Sequence, residues 1–561
     1  MIQIVQGHLL GNRYLQLVAI LLVAVATLAA AFSYPGALAP FLINGCLAAL
    51  LVRNVLNNRS SFFSFFLIVF LILGCWAKLV LHFILDTQFI EPIGTFDNSA
   101  QGWDEALLAT NVAFMTLLCC QWITSHWHTA GAKSSDYYGT LLKPALWLSL
   151  AFTALLLAFN FKFAILKVGT EPLIQLHSYI YVVVSFMIAW GNLILLATLG
   201  YWLVQARKMK LETLFYILIL EGAVTAVSMG SRAQMILHVA APFAVYLIHA
   251  RALVSLLRPV QWVRILCVTA ALFVASLLLV SIDRVHSFAQ AKPVETPPPA
   301  ITIVEEAPEP EPSLAYDSSR FETVVIDPTK STKMLAAIIE PAPLELQFNS
   351  ELPAPTPEVT PQTATPAAAA SVLIPEPVIP PVETEAIKRA RWKGMLTELS
   401  KLVVDRWVGI EGVLTVVSYP EKGLPLFVRS LSERPESGTQ AIYQRMSNAQ
   451  YAAYENFTFM TIPGPIAILL YSDSFAILAA GLVLLFVAGT LMERLAKQLV
   501  GNIFTQATIG VALAYLVVQT NFPRVQFFFL IEIFGFIAGL YVARLLLTRS
   551  GHKRAAAAQP A

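Results

Sequence analysis

The sequence predicts an all-α, polytopic integral membrane protein, and three observations predict it. Of 561 residues, 57% are hydrophobic and only 13% are charged. A soluble domain carries roughly 25% charge. Mean hydropathy is +0.67. Apolar runs of about 17 to 25 residues follow one another along the chain, each long enough to cross a hydrocarbon core about 30 Å thick. The same composition excludes a soluble enzyme, a nucleic-acid-binding protein and a disulfide-stapled secreted module. The formal net charge of +2 averages membrane and loops and carries no information on partners.

The runs place spans near 14–32, 37–52, 61–84, 105–122, 144–160, 178–204, 212–228, 233–249 and 264–282. After a long hydrophilic stretch come 474–492, 503–520 and 525–547. The first run is too long for a signal peptide and lacks a clean cleavage site. The run 457–471 is short, and Pro463-Gly464-Pro465 interrupts any continuous helix there. Basic residues test the count. With the N-terminus in the cytoplasm, 17 Lys and Arg, from Arg13 and Arg53 to Lys553 and Arg554, fall on the inner side. The short outer loops then hold only Lys162, Lys167, Arg232 and Arg524. A full span at 457–471 would put Arg494 and Lys497 outside, so this segment is expected to be re-entrant or surface-lying. About 12 transmembrane helices follow, with both termini cytoplasmic in a bacterial inner membrane.

Composition divides the chain further. Residues 1–282 form the first membrane domain, with nine spans. Residues 283–385 form a periplasmic tether: positions 290–385 hold 19 of the 33 prolines and 15 Asp and Glu against four Lys and Arg. Proline at that density, with self-repelling acidic charge, predicts a disordered, extended segment. Residues 386–456 are expected to form an amphipathic helix and a small, mainly helical cap over the outer face. Trp392, Leu396, Leu399 and Val403 recur at helical spacing, with Lys and Arg between them. Residues 457–472 form the re-entrant or surface-lying segment, and 473–561 carry spans 10–12. The five cysteines, Cys46, Cys75, Cys119, Cys120 and Cys267, all lie in apolar runs, where thiols behave as small hydrophobes.

Charges inside spans are expensive unless paired or lining a cavity. Lys78, Glu221, His238 and Glu532 are such charges. They predict either an ion path or pairing between helices, for example of a glutamate with Lys78. On the outer face Arg232 sits in the tight turn Ser228-Met229-Gly230-Ser231-Arg232. Arg406 opens the run Arg406-Trp407-Val408-Gly409-Ile410-Glu411-Gly412-Val413, Lys162 and Lys167 lie in the 161–177 loop, and Arg284 and His286 follow the ninth span. Arginine's fork suits bidentate contact with phosphate oxygens. Such a set at headgroup depth therefore predicts a site for a lipid-linked phosphate or pyrophosphate. Snorkelling, or pairing with Glu171, Asp283 and Glu411, is the alternative. His177, His286 and Glu411 are the candidate acids and bases, the histidines for a near-neutral pKa. In the 86–104 loop, Asp97, Asn98, Gln101, Trp103 and Asp104 suit sugar contact, or simply a solvated loop. With no DxD motif, phosphate-cradling glycine loop or metal-ligand spacing, neither a cofactor nor a metal is expected.

The series Arg406 to Val413, then Ser418-Tyr419-Pro420-Glu421-Lys422-Gly423, Ile462-Pro463-Gly464-Pro465 and Leu470-Tyr471-Ser472-Asp473-Ser474, resembles the Wzy-type group of polysaccharide polymerases. So do the many spans, the Gly230-Ser231-Arg232 turn and the single large outer loop late in the chain. The resemblance is concentrated in 405–475 and is architectural elsewhere. It implies joining of oligosaccharide repeat units carried on undecaprenyl pyrophosphate, at the periplasmic face, during O-antigen, capsule or exopolysaccharide biosynthesis. It implies that Arg232 and Arg406 bind the pyrophosphate, that Glu411 activates the acceptor, and that no metal is needed. Implied partners are the lipid-linked oligosaccharide, membrane lipids, and chain-length regulator or export proteins, with no nucleic acid. Three other readings stand: an O-antigen ligase sharing the donor chemistry, a secondary transporter or flippase of lipid-linked sugars built around Glu221 and Glu532, and a non-catalytic assembly protein.

Overall fold

The computed structural model describes residues 2–57, 61–89, 91–125, 127, 141–168, 170, 172–174, 176–253, 257–289, 407–434, 441–449 and 461–557. Regular structure among them is entirely helical. Among the described residues, nine helices are long and apolar enough to cross a bilayer, and shorter apolar helices cover Gln16–Ala31 and Ile503–Val518. The chain is thus built as a polytopic membrane protein. Each apolar run expected to span is helical to within a few residues.

The helices are α1 (Ile2–Ala31), α2 (Leu38–Asn57), α3 (Phe62–Leu71), α4 (Lys78–Leu85), α5 (Ala100–Ser125), α6 (Leu142–Phe163), α7 (Ser178–Phe186), α8 (Asn192–Gln205), α9 (Leu211–Met229), α10 (Arg232–Leu253) and α11 (Pro259–Ala289). One π-helical segment, Ile72–Ala77, joins α3 to α4, and a second, Met187–Gly191, joins α7 to α8. Four short helices follow: α12 (Ile410–Val417), α13 (Leu424–Ser432), α14 (Ile442–Met446) and α15 (Gly464–Leu470). Three more close the bundle: α16 (Phe475–Val500), the shorter α17 (Ile503–Val518) and α18 (Pro523–Ala557).

Local chemistry sets the boundaries. Ser61 and Ser474 cap α3 and α16 through their hydroxyls. Asn502 caps α17, its Oδ1 accepting from the amides of Phe504 at 2.9 Å and Thr505 at 3.1 Å, which satisfies amides no helix turn can reach. Gly230 ends α9 at φ +65°, the left-handed conformation that glycine adopts without strain.

The centre of the bundle is α17, buried on every residue from Phe504 to Val518. A helix that is apolar all round belongs inside. It packs on α3, α10, α16 and α8. Around it, α1, α6, α11, α16 and α18 turn large apolar side chains outward, among them Leu21, Leu155, Leu278, Leu484 and Phe534. Apolar surface on that scale needs a lipid solvent.

Within the expected cap, helix α12 lies inside the bundle and not on its surface. All eight residues of α12 are buried, and the helix packs on α5, α15 and the first π segment. Its entry is made possible at Gly74 and Gly409, whose backbones meet so closely that a Cβ on either would overlap the other strand of backbone. The apolar composition of IEGVLTVV explains the burial: seven of its eight residues carry no charge, and a run too short to span can still fill a bundle core. α15 is likewise buried on every residue. The tether over 290–385, the amphipathic helix over 386–404, Arg406 and positions 457–460 lie outside the described residues.

Candidate functional site

Three of the cations nominated from sequence converge on the α9–α10 turn. The guanidinium of Arg284, from α11, donates to the Gly230 carbonyl from Nε at 3.1 Å and from Nη2 at 2.9 Å. Both bonds go to one backbone oxygen, which fixes the guanidinium against the turn. The Lys167 ammonium lies 2.9 Å from Oδ1 and 2.8 Å from Oδ2 of Asp283, and its aliphatic stem runs beside Gly230. Arg232 opens α10 two residues further on. The four side chains carry three positive charges and one negative.

The loop that brings Lys167 here is fastened by Asn160 near the end of α6. Its Nδ2 donates to the Ser228 carbonyl at 3.0 Å and hydroxyl at 2.8 Å, and its Oδ1 accepts from the Leu166 amide at 2.7 Å. The Val168 amide then donates to the Met229 carbonyl at 2.8 Å. Beneath the cations, at the first turn of α10, Ser231 and Gln234 are fully buried. The Ser231 hydroxyl and both amide atoms of Gln234 make no hydrogen bond among the described residues. Buried polar groups normally find partners. A helix N-terminus with two such groups and a positive rim is suited to a bound anion rich in oxygen atoms. Ser231 and Gln234 escaped the sequence reading, although a Ser-x-x-Gln pattern at the start of an apolar run was the available signal.

The remaining candidates lie elsewhere or are differently engaged. Glu411 faces inward, its Oε1 2.6 Å from the Lys78 ammonium with both side chains nearly inaccessible to solvent. It therefore anchors α12 to the first residue of α4, just past the first π segment, and offers no open carboxylate. Lys162 is exposed, 5.3 Å from the Phe163 ring centre. His177 is exposed ahead of α7, beside the Tyr179 ring. His286 lies in α11, its side chain outside the described residues.

The sugar-contact set of the 86–104 loop has structural partners. Trp103 is buried against Phe83, Phe96 and His82. Asp104 accepts from the Tyr34 hydroxyl at 2.7 Å and the Ala37 amide at 2.9 Å. Asp97 accepts from the Ser99 amide at 2.9 Å, which holds its carboxyl below the usual carboxylate range. Gln101 and Asn98 stay at the surface of the same turn.

A second buried pair sits at mid-bundle. The Glu221 Oε2 is 2.8 Å from His238 Nδ1, Thr225 donates to Oε1 at 3.0 Å, and His238 Nε2 lies 2.9 Å from the Ala189 carbonyl. Ala189 belongs to the second π segment, whose widened turn leaves a carbonyl for a side chain. The π segments border both buried charge pairs: Lys78 directly follows the first, and Ala189 lies in the second. Glu532, on α18, has a buried Oε2 with no hydrogen-bond partner among the described residues. Among the described residues no group of acidic, Cys and His side chains could hold a metal ion.

No protein-family model, curated protein or solved structure matches this chain.

Proposed function

We propose that the protein polymerises undecaprenyl-pyrophosphate-linked oligosaccharide repeat units at the periplasmic face of a bacterial inner membrane, through twelve spans with both termini in the cytoplasm. The observation that carries this reading is the convergence of Lys167, Arg232 and Arg284 on the α9–α10 turn, above the unpartnered Ser231 and Gln234. The chemistry asks for such a cluster. An acceptor sugar hydroxyl attacks the anomeric carbon of the donor, the bond from that carbon to the lipid pyrophosphate breaks, and the electron pair leaves on a phosphate oxygen. The hydroxyl proton passes to a base, a role for which His177 and His286 are the candidates by residue type. Negative charge then grows on the leaving group, and fixed cations that stabilise it lower the barrier. Arg406 joins the set on the strength of the resemblance alone. Glu411, held by Lys78, positions the segment that carries Arg406.

A transporter of lipid-linked sugars is the second reading, favoured by the buried Glu221–His238 pair. An O-antigen ligase shares the donor chemistry. The lipid-linked glycan profile of cells lacking the protein separates them. Single repeat units should accumulate on lipid at the outer face, and wild type should restore polymer where Arg232→Ala does not. Loss of one such electrostatic donor typically costs about 100- to 1000-fold in rate. Repeat units trapped at the inner face, with Glu221→Gln the damaging variant, would instead select the transporter. Full-length polymer retained on its lipid would select the ligase.

A further inference from the structure

At the other end of α9 the bundle holds a second basic site. A cavity of about 810 Å³ opens between the α8–α9 turn and the start of α11. Such a volume is in the range of small-molecule sites. Among the described residues Arg207, Lys210, Arg258 and Arg264 line it with one carboxylate, Glu212, an excess of three positive charges. Glu212 is already committed: the Tyr216 hydroxyl donates to its Oε1 at 2.8 Å and Gln261 Nε2 to its Oε2 at 2.7 Å. Gln261 in turn accepts from the Arg258 amide at 2.7 Å, which fixes the first turn of α11. Helices α9 and α11 both begin at this cavity, so their positive ends add to the field. The site is separate from the α9–α10 turn, because the 19 residues of α9 span about 28 Å at 1.5 Å each.

The geometry points to a binding site for the phosphodiester headgroup of an anionic membrane phospholipid. Three observations favour a lipid over a soluble anion. Met209, Leu257 and Val260 give the cavity an apolar wall, which a phosphate ion does not need and a glycerol backbone with acyl chains does. Beyond its mouth, Val260, Val263 and Leu266 of α11 are 61%, 60% and 52% exposed, so the cavity opens beside the lipid-facing surface. Trp262, ring to ring with Tyr246 at 3.9 Å, stands at the same level, where interfacial aromatics anchor helices to headgroups. Basic pockets between membrane helices are suited to such headgroups.

The test is lipid binding by the full-length protein. Wild type, Arg258→Gln/Arg264→Gln, Arg258→Lys/Arg264→Lys and the charge control Lys497→Gln are reconstituted in phosphatidylcholine nanodiscs with graded cardiolipin or phosphatidylglycerol. Retained lipid is counted by native mass spectrometry after gentle extraction. The expected result is selective retention of the anionic lipid by wild type, the double lysine variant and the control. Affinity should fall about fivefold for each charge removed, roughly 25-fold in the double glutamine variant. Equal retention of phosphatidylcholine, or equal loss in the Lys497→Gln control, overturns the site. Displacement of the lipid by millimolar inorganic phosphate overturns the lipid assignment in favour of a soluble anion. Monodisperse elution of each variant shows that the comparison is between folded proteins.

Discussion

The Lys78–Glu411 pair gives the sharpest quantitative prediction. Its atoms are 2.6 Å apart, and the side chains are 2% and 3% exposed, so the two charges face each other out of reach of solvent. Removing one partner of such a pair typically costs about 3–5 kcal/mol, because the survivor keeps its desolvation penalty. Replacing both by apolar residues of similar volume is often neutral. Lys78→Met and Glu411→Leu should therefore each lower stability by about 3–5 kcal/mol, and the double variant should return to within about 1 kcal/mol of wild type, a coupling far outside simple additivity. Reversible unfolding by SDS titration in mixed micelles, followed by tryptophan fluorescence, measures all four corners of the cycle. Single-variant losses below about 1 kcal/mol, or a double variant that loses the sum of both, would refute the reasoning. The same double variant addresses chemistry. Normal polymer from a stable Lys78→Met/Glu411→Leu protein makes Glu411 a positioning residue, whereas lost polymer at wild-type stability returns it to the reaction.

Three further outcomes are expected. Asn160→Ala removes the donor shared by Leu166 and Ser228, and should cost about 3 kcal/mol in the same unfolding assay while weakening phosphate-analogue binding through displacement of Lys167. Gly409→Ala forces a methyl group into the Gly74 backbone and should cost about 3 kcal/mol; a variant as stable as wild type would contradict the close crossing. Burial raises the Glu433 carboxyl above its usual range despite the 2.7 Å bond from the Ile442 amide. An acid raised in the folded state contributes fully below its unfolded value, near pH 4.3, and loses that contribution as pH rises through its folded value. Glu433→Gln should accordingly be more stable than wild type at pH 8 and converge with it near pH 4, measured by melting temperature against pH.

The helix positions were legible because a bilayer imposes length and hydropathy on a crossing segment, and nine helices among the described residues meet that demand. The pairing of Glu221 with His238 was not read from the sequence, although the signal for it was there. Glu221 and His238 lie 17 residues apart on either side of the Gly230 turn, so a helical hairpin must bring them level. The fate of α12 was not legible. Eight residues beside a hydrophilic loop carry too little pattern to separate a surface helix from a buried one, and Glu411 argued for the surface until Lys78 supplied its counter-charge. At the candidate site the cations themselves stood out by their position at the membrane edge. Their partners did not, since nothing in the sequence says that Arg284 reaches a backbone carbonyl or that Lys167 reaches Asp283. Those contacts depend on how α6, α9 and α11 close around one turn.

Glu493 carries a consequence for how the chain is made. From α16, its carboxylate accepts from the Ser61 hydroxyl at 2.5 Å and from the Phe62 and Phe63 amides at 2.9 Å. It closes the start of α3 from 432 positions away. At a translation speed of roughly 5–20 residues per second, about 20 to 90 s separate the emergence of Ser61 from that of Glu493. Through that interval α3 sits in the bilayer without the carboxylate that closes it, and without the α17 surface on which it packs. The nascent protein is therefore an unfinished bundle until its last three helices arrive. A message truncated before Glu493 should yield a product that membrane proteases clear, and α16 to α18 supplied as a separate polypeptide should rescue the first eleven helices.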